Sequence, residues 1–283
     1  MSKRREMEEH LRTLNEISGI LGAMKNLSLL ETHKLSRFLL AQRRVVAGIE
    51  SAAADFLTFH PDVLGRPGGA KRVLLAIGSE RGFCGDYNES LLAALEEHLD
   101  AEAVDEPVLI AVGHKLATIM EGDRRVAARL DGPTVAEEVQ HVLIRLMDTL
   151  RELQAQQEFF CPLDLTIVHH SADAEGMRIQ IRRPFEQIRR QPVRFSHPPI
   201  LHLDPFVFVA ELIDQYLYAV LHEVFYSSLM AENLQRFRHM DQAVQRLEEE
   251  MSELALKRNS LRQEEITEEI EVIMLSVEAL KKR

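Results

Sequence analysis

Tryptophan is absent from this chain, aromatic residues make up only 6%, and glycine and proline number just 13 and 10 among 283 residues. So few breakers exclude a collagen-like or low-complexity chain, which depends on them. They also argue against an all-β sandwich, which needs turn residues every 8–12 positions or so. Disorder is excluded from the other side, because 46% of the residues are apolar, enough to bury a core. A long chain that is 28% charged yet short of breakers points to long helices. Its length fits one to two domains.

Basic charge is the second shortage. There are 34 Lys and Arg against 45 Asp and Glu, for a net charge of -11. Nucleic-acid binders neutralise phosphates with Lys and Arg, so an acidic chain with no basic stripe is not expected to bind nucleic acid. The imbalance is local. Residues 1–60 carry nine basic and seven acidic side chains, and residues 205–283 carry nine and fifteen. Two terminal helices of opposite bias favour one another, although each surface pair is weak. Cysteine is nearly missing too. Cys84 and Cys161 leave one disulfide open, but two cysteines in this length are the usage of a reducing compartment. Glu6, Glu8, Glu9 and Glu16 interrupt the first 30 residues, so no signal or transit peptide is read there. No run approaches the roughly 18 apolar residues of a membrane span. A cytosolic chain is expected, touching a membrane only through a complex.

What is present falls into three regions. From about residue 3 to 57, apolar residues recur at Met7, Leu11, Leu14, Ile17, Leu21, Met24 and Leu27, then at Leu35, Phe38, Val45 and Ile49. No proline precedes Pro61, so one helix of about 50 residues, roughly 75 Å long, is predicted. Pro61, Gly65, Pro67, Gly68 and Gly69 then form a linker. In the middle region Val73–Ile77 and Val108–Val112 read as buried strands, each ending in glycine (Gly78, Gly113). Helical spacing follows the first at 88–99, a helix candidate follows the second, and Val135–Gln157 reads as a third helix. Leu163–His169 and Met177–Ile181 read as further strands. Alternating strand and helix signals mean a small α/β domain with a partly parallel sheet.

The last region contains neither Gly nor Pro after Pro205. Phe237, Met240, Val244, Leu247, Met251 and Leu254 repeat at steps of three and four, a heptad seam. The apolar stripe touches Leu261 and then jumps five residues to Ile266, Ile270, Ile273, Val277 and Leu280. A continuous helix here spans on the order of 110 Å and cannot bury its seam on one small domain. The N-terminal helix is the available partner, as an intramolecular antiparallel coiled coil. Being longer, the C-terminal helix is expected to end as a single helix over Val272 to Leu280, and uncovered apolar surface of that kind marks a protein contact. Boundaries are expected at 1–60, 61–204 and 205–283.

Individual motifs are weak on their own. The segment Gly78-Ser79-Glu80-Arg81-Gly82-Phe83-Cys84-Gly85 follows a strand and precedes a helix. It lacks both dinucleotide-binding glycine spacing and a Gly-Lys-Ser/Thr, so Gly78, Gly82 and Gly85 read as a tight structural turn. His169 and His170 are neighbours on a strand and point to opposite faces, so they do not share one metal ion. The runs Glu248–Glu250 and Glu264-Glu265 read as solvated helix faces. Arg262-Gln263 reads either as an ordinary polar face or as a polar contact gripping the shaft at one point. No nucleophile or acid-base constellation is placed by any motif, and no catalytic residue, cofactor or metal is assigned.

Taken together, five stretches resemble the gamma subunit of F-type ATP synthases. They are Ala23-Met24-Lys25; Gly78 to Gly85 with Asn88; Asp204-Pro205 with Leu212 and Tyr216; Ala231-Glu232-Asn233 leading to Met240; and Asn259, Arg262-Gln263, Ile266-Thr267 and Glu269-Ile270. The second is similar to the family's Gly-Ser-Asp-Arg-Gly-Leu-Cys-Gly-Gly-x-Asn, with Glu80 in place of Asp and Asp86 in place of Gly. The N-terminal helix lacks much of the basic, Thr-rich text around Ala23-Met24-Lys25, so the resemblance is to a divergent branch. It implies a fold of α/β with a long helical hairpin: an antiparallel coiled coil of terminal helices plus a Rossmann-like α/β middle domain. It implies a non-catalytic rotor shaft turning inside three alpha and three beta subunits, with the epsilon subunit and the membrane c-ring at its foot. That ring transports protons or sodium ions, on the cytoplasmic face of the bacterial inner membrane. By the same resemblance Met24 and Lys25 lie near the moving lobes of the beta subunits. Arg262 and Gln263 meet a beta-subunit catch loop, Ile266 and Thr267 also face the ring, and Val272, Ile273, Val277 and Leu280 turn in an apolar sleeve. The competing readings are an α/β enzyme with a nucleotide site and a coiled-coil stalk or adaptor of a related rotary or secretion machine.

Overall fold

The computed structural model describes residues 3–61, 63, 72–102, 107–156, 164–173, 176–188 and 197–281. Cys161, Leu163, Gln157 and Gly65 to Gly69 lie outside the described residues. The chain forms two compact units, one of Ser28–Arg236 and one of Met1–Leu27 with Phe237–Arg283. Two long helices supply both: α1 (Lys3–Phe59) and α6 (Pro205–Lys281), of 57 and 77 residues. Each runs unbroken because no proline stands beyond its first residue and nothing in it forces a left-handed turn.

The Ser28–Arg236 unit holds a five-stranded sheet. Its strands are β1 (Val73–Ile77), β2 (Val108–Val112), β3 (Val126–Leu130), β4 (Leu165–Asp173) and β5 (Gly176–Arg182), in the order β3-β2-β1-β4-β5. The first four are parallel, and β5 pairs antiparallel with β4. β1 and β2 are buried along their whole length, as their uninterrupted apolar runs require of strands covered on both faces. On one face Leu74, Ala76, Leu109, Ala111 and Val168 pack with Leu91, Leu95 and Leu99 of α2 (Tyr87–Ala101) and Leu116 of α3 (His114–Ile119). On the other, Leu75, Ile77, Ile110 and Ile167 join Leu143 and Leu146 of α4 (Val139–Gln156), Leu35 and Val46 of α1, and Tyr216, Val220, Val224 and Phe225 of α6. A short helix, α5 (Pro184–Ile188), follows β5.

Several elements differ from the sequence expectations: α5 was not anticipated, and β4 runs on to Asp173. β3 was not anticipated, since its five residues alternate between buried and exposed and include Arg129. The helix expected from Val135 begins instead with a 3₁₀ turn, Ala136–Glu138, before α4.

In the second unit, α1 and α6 each bury one stripe. On α6 it runs through Phe237, Met240, Val244, Leu247, Met251 and Leu254, as the heptad pattern predicts. It then continues in the same register through Arg258, Leu261 and Glu265. The jump to Ile266 is therefore a change in where apolar residues lie, not in which face is covered: Ile266 is 46% exposed, and Glu265 takes the seam position with an ion pair to Arg4 at 3.3 Å. On α1 the covered positions are Met7, Leu11, Leu14, Ser18, Leu21 and Lys25, and the same alternation of four and three continues through Ser28, Thr32, Leu35, Leu39, Gln42, Val46, Ile49, Ala53 and Phe56 in the sheet unit. The apolar recurrence in the sequence had merged this seam with a second stripe. Ile17 and Leu27 are 41% and 65% exposed, and Phe38 and Val45 are exposed as well.

Candidate functional site

The Gly78–Asn88 loop leaves β1 at the C-terminal edge of the parallel strands, next to the point between β1 and β4 where the strand order reverses. In open α/β sheets that crevice is where ligands bind. Here the loop is tied down by the chain itself. A Cβ on Gly78 would lie 2.5 Å from Leu116 Cβ and 2.6 Å from Asn88 Oδ1, so only glycine fits. Asn88 accepts a hydrogen bond from the Ser79 amide and donates one to its hydroxyl, both at 2.9 Å. Gly85 takes φ of 61° and Phe83, unusually for a side-chain-bearing residue, 64°. By contrast Gly82 has room for a Cβ, whose nearest neighbour would be Lys115 Cε at 3.9 Å.

Two carboxylates occupy the backbone donors of this edge. Glu80 Oε2 accepts from the amides of His114 at 2.8 Å and Gly132 at 2.7 Å, joining the ends of β1, β2 and β3. Glu232, on α6, accepts from the amides of Glu80 and Arg81 at 3.4 and 3.3 Å. Exposed amides of this kind form anion sites in α/β folds, and here the chain's own anions fill them. The remaining cavity, bounded by Ile77, Gly132, Phe225, Ser228 and Glu232 among others, is about 10 Å³, room for about one water. It cannot hold a nucleotide.

Glu232 is paired with Arg236, one turn further along α6, and both are buried (side chains 5% and 7% exposed). Arg236 Nε donates to the Gly82 carbonyl at 3.2 Å, and Nη2 reaches the Arg81 carbonyl at 3.5 Å and Cys84 Sγ at 3.4 Å. Asn233 holds the guanidinium from the other side at 3.1 Å. Burial pushes the Glu232 carboxyl above its usual range, while Arg236 and the two amides draw it back. Burial likewise pushes the Cys84 thiol up to about 12, so it is inert as a thiolate nucleophile. Tyr87 closes the group, with its hydroxyl donating to the Ser228 carbonyl at 3.1 Å.

His169 and His170 lie on opposite faces of β4, as expected from strand geometry. His169 Nδ1 lies 2.9 Å from the His170 carbonyl oxygen, and His170 Nε2 lies 2.8 Å from that of Tyr87. Burial lowers both below the ordinary range, His169 to about 4. Among the described residues no cluster of three or more His, Cys, Asp or Glu is placed to hold a metal ion. No described helix is long and apolar enough to cross a membrane.

The residues expected to meet the surrounding ring lie in the helical unit, along one seam and its exposed flanks. Met24 is half-buried, and Lys25 sits in the seam with Nζ 3.0 Å from Asp241 Oδ1. Arg262, Gln263, Ile266 and Thr267 are exposed, and the Thr267 hydroxyl donates to the Gln263 carbonyl at 2.9 Å. Every residue from Ile266 to Leu275 is exposed, with Val272 at 66% and Ile273 at 61%. Val277 is 47% exposed, and the Leu280 side chain lies outside the described residues.

Glu232 belongs to one of the resembling stretches and Arg236 to none. The only local trace of the pair is two opposite charges one turn apart, with the polar Asn233 and Gln235 between them, and nothing in it points to the loop.

A family model described as ATP synthase matches residues 3–280. The chain belongs to the ATP synthase family. The ATP synthase gamma chain of Streptococcus suis is 23% identical over 293 residues, covering 97% of this chain and 98% of its own. That of Saccharopolyspora erythraea is 25% identical over 312 residues, covering 99% and 98%. Among solved structures, a chain of the Euglena gracilis mitochondrial ATP synthase, seen with OSCP, F1 and c-ring, superimposes with a TM-score of 0.63 at 16% identity over 98% of this chain and 94% of that one. A chain of the rotor of the same enzyme gives 0.57 at 15%, over 93% and 98%. These low identities along the full length make this family member a divergent gamma-type chain.

Proposed function

We propose that this chain is the non-catalytic central rotor shaft of an F-type ATP synthase. It couples ion flow through a membrane c-ring to ATP synthesis and hydrolysis at a ring of three alpha and three beta subunits. The observation that carries this reading is the full-length match to gamma-type chains, on a chain whose 77-residue helix is exposed on every side from Ile266 to Leu275. In this reading residues 1–60 and 205–283 form the shaft, and 61–204 form the foot that meets the epsilon subunit and the c-ring. Gly78, Gly82 and Gly85 belong to the turn that shapes the foot. The assembly is peripheral, on the cytoplasmic face of the bacterial inner membrane.

The exposed stripes have a physical use in this setting. Ile17, Ile20 and Leu27 on α1, with Met24 beside them, face the surrounding ring, as do Ile266, Thr267, Val272, Ile273, Val277 and Leu280 on α6. Apolar contact is non-directional, so a shaft slides against it without being held at one angle. Arg262 and Gln263 add polar contacts that set preferred dwell angles. Lys25 acts chiefly by fixing the register of the helix pair through Asp241, as polar seam residues do in coiled coils.

The experiment is affinity purification of the tagged chain from membranes of its host, which brings down alpha- and beta-type ATPase subunits. Their absence contradicts the reading. In the assembled complex, Arg262→Ala with Gln263→Ala lowers coupled ATP turnover without loss of assembly, and unchanged turnover and synthesis remove those two residues from the contact.

A further inference from the structure

Arg236 is the last residue of the sheet unit, and α6 continues from Phe237 into the helical unit. Within the sheet unit, the turns of α6 up to Arg236 are the ones that touch the sheet edge. Much of the contact between α6 and the sheet is apolar, through Tyr216, Val220, Leu221, Val224 and Phe225, with single directional bonds from Arg182 to Glu223 at 2.9 Å and from Ser227 to Ser171 at 3.1 Å. Apolar packing resists separation but has little preference for angle. Hydrogen bonds are directional, and those to charged groups are the strongest.

The final turns of α6 within the sheet unit carry such bonds. Glu232 accepts from the amides of residues 80 and 81, and Arg236 donates to the carbonyls of residues 81 and 82. The pair therefore holds the donors and the acceptors of the same loop at once. The loop cannot yield easily, because Asn88 fixes Ser79 and Glu80 fixes the amides of His114 and Gly132. A continuous chain of directional bonds runs from the edge of the sheet into α6.

We propose that Glu232 and Arg236 form the latch that transmits torque between the α/β domain and the shaft helix, with Asn88 and Glu80 as its positioning residues. The proposal rests on the shaft reading above. It distinguishes a latch on the loop backbone from a simple helical ion pair, because the roles of the two side chains are not exchangeable. An arginine at 232 cannot accept from the amides of residues 80 and 81, and a glutamate at 236 cannot donate to the carbonyls of residues 81 and 82.

The test uses the assembled complex in inverted membrane vesicles. A membrane-potential dye reads ion pumping and a coupled enzyme assay reads ATP hydrolysis, so that pumping per ATP is obtained for each variant. Wild-type vesicles that hydrolyse ATP, pump, and yield this chain with alpha- and beta-type subunits establish the shaft reading. Their failure to do so overturns that reading and the latch with it. Given that outcome, Arg236→Ala loses most of the pumping per ATP while hydrolysis continues. Arg236→Lys keeps the pair with Glu232 but not the planar fork on two carbonyls, and lowers the ratio by about twofold. The charge exchange Glu232→Arg with Arg236→Glu does not restore coupling. Wild-type pumping per ATP in Arg236→Lys, or its recovery in the exchanged pair, overturns the latch and leaves the shaft reading standing.

Discussion

The sheet unit and the helical unit share the same two helices, yet they bury them differently. Between Ser28 and Arg236, Leu35, Phe56, Tyr216 and Phe225 are at most 1% exposed, and the core extends through both faces of the sheet. In the helical unit Leu14, Met240 and Val244 are the only buried apolar side chains among the described residues. The first unit has a buried core on both faces of its sheet. The second closes one seam between two helices and leaves its other faces apolar in places, at Ile20, Leu27, Leu256, Ile270 and Val272. The contrast teaches that the two parts obey different requirements. One encloses a core of its own. The other, in the shaft reading proposed above, presents its exposed faces to other proteins without being held by them.

Four substitutions or conditions probe that contrast. The largest effect is expected from Leu75→Ala, at the fully buried centre of β1. It costs about 2–5 kcal/mol in urea unfolding of the full chain, whereas Leu256→Ala, 69% exposed, stays within about 0.5 kcal/mol. Equal costs remove the distinction. The second is acid. His169 takes its proton near 6.5 when unfolded and only near 4 when folded, because burial disfavours its charge. Between those values the unfolded chain binds more protons, so stability is full above pH 6.5 and falls by about 3 kcal/mol on the way down to pH 4. His170 adds in the same direction. A pH series of unfolding midpoints reads this, and His169→Gln makes the slope shallower, leaving the part that His170 contributes. If the slope is unchanged in that variant, the burial argument for His169 is wrong.

Third, Gly78→Ala meets Leu116 and Asn88 and costs about 1–3 kcal/mol, while Gly82→Ala is neutral within about 0.5 kcal/mol. A thermal shift for both separates the glycine that the loop needs from the one it tolerates. The smallest effect is expected from Lys25→Ala in the helical unit. Its pair with Asp241 is partly exposed, at 25% and 38%, and contributes only about 0.2–1 kcal/mol. A double-mutant cycle with Asp241→Ala measures it, and a coupling well above that range makes Lys25 a core element of the seam.

The strands β1 and β2 and both long helices were legible because each satisfies one strong pattern: a short apolar run stopped by glycine, or a long stretch without breakers. β3 was hidden because it is half-buried and carries Arg129 among five residues. The seam of α1 was blurred because Ser18, Lys25, Ser28, Thr32 and Gln42 occupy covered positions, while Ile17 and Leu27 face outward. Polar residues are tolerated there by specific partners, such as Asp241 for Lys25 and the Ala219 carbonyl for Gln42 at 3.0 Å. Periodicity registers hydrophobicity, not burial, and the two diverge wherever a helix has a second apolar face. The latch at Glu232 and Arg236 was illegible as a site for a related reason. Its partners are backbone atoms of a loop about 150 residues earlier in the chain, and a distance of that kind leaves no local pattern.

The central claim is that this chain turns inside a catalytic ring. It is tested most directly by placing a fluorophore at Glu97→Cys, an exposed position on α2, in a Cys161→Ser background where Cys84 remains buried. With the alpha and beta subunits immobilised and ATP supplied, stepwise rotation in one direction is the expected result. Steady ATP hydrolysis with a fluorophore that keeps a fixed orientation contradicts the claim.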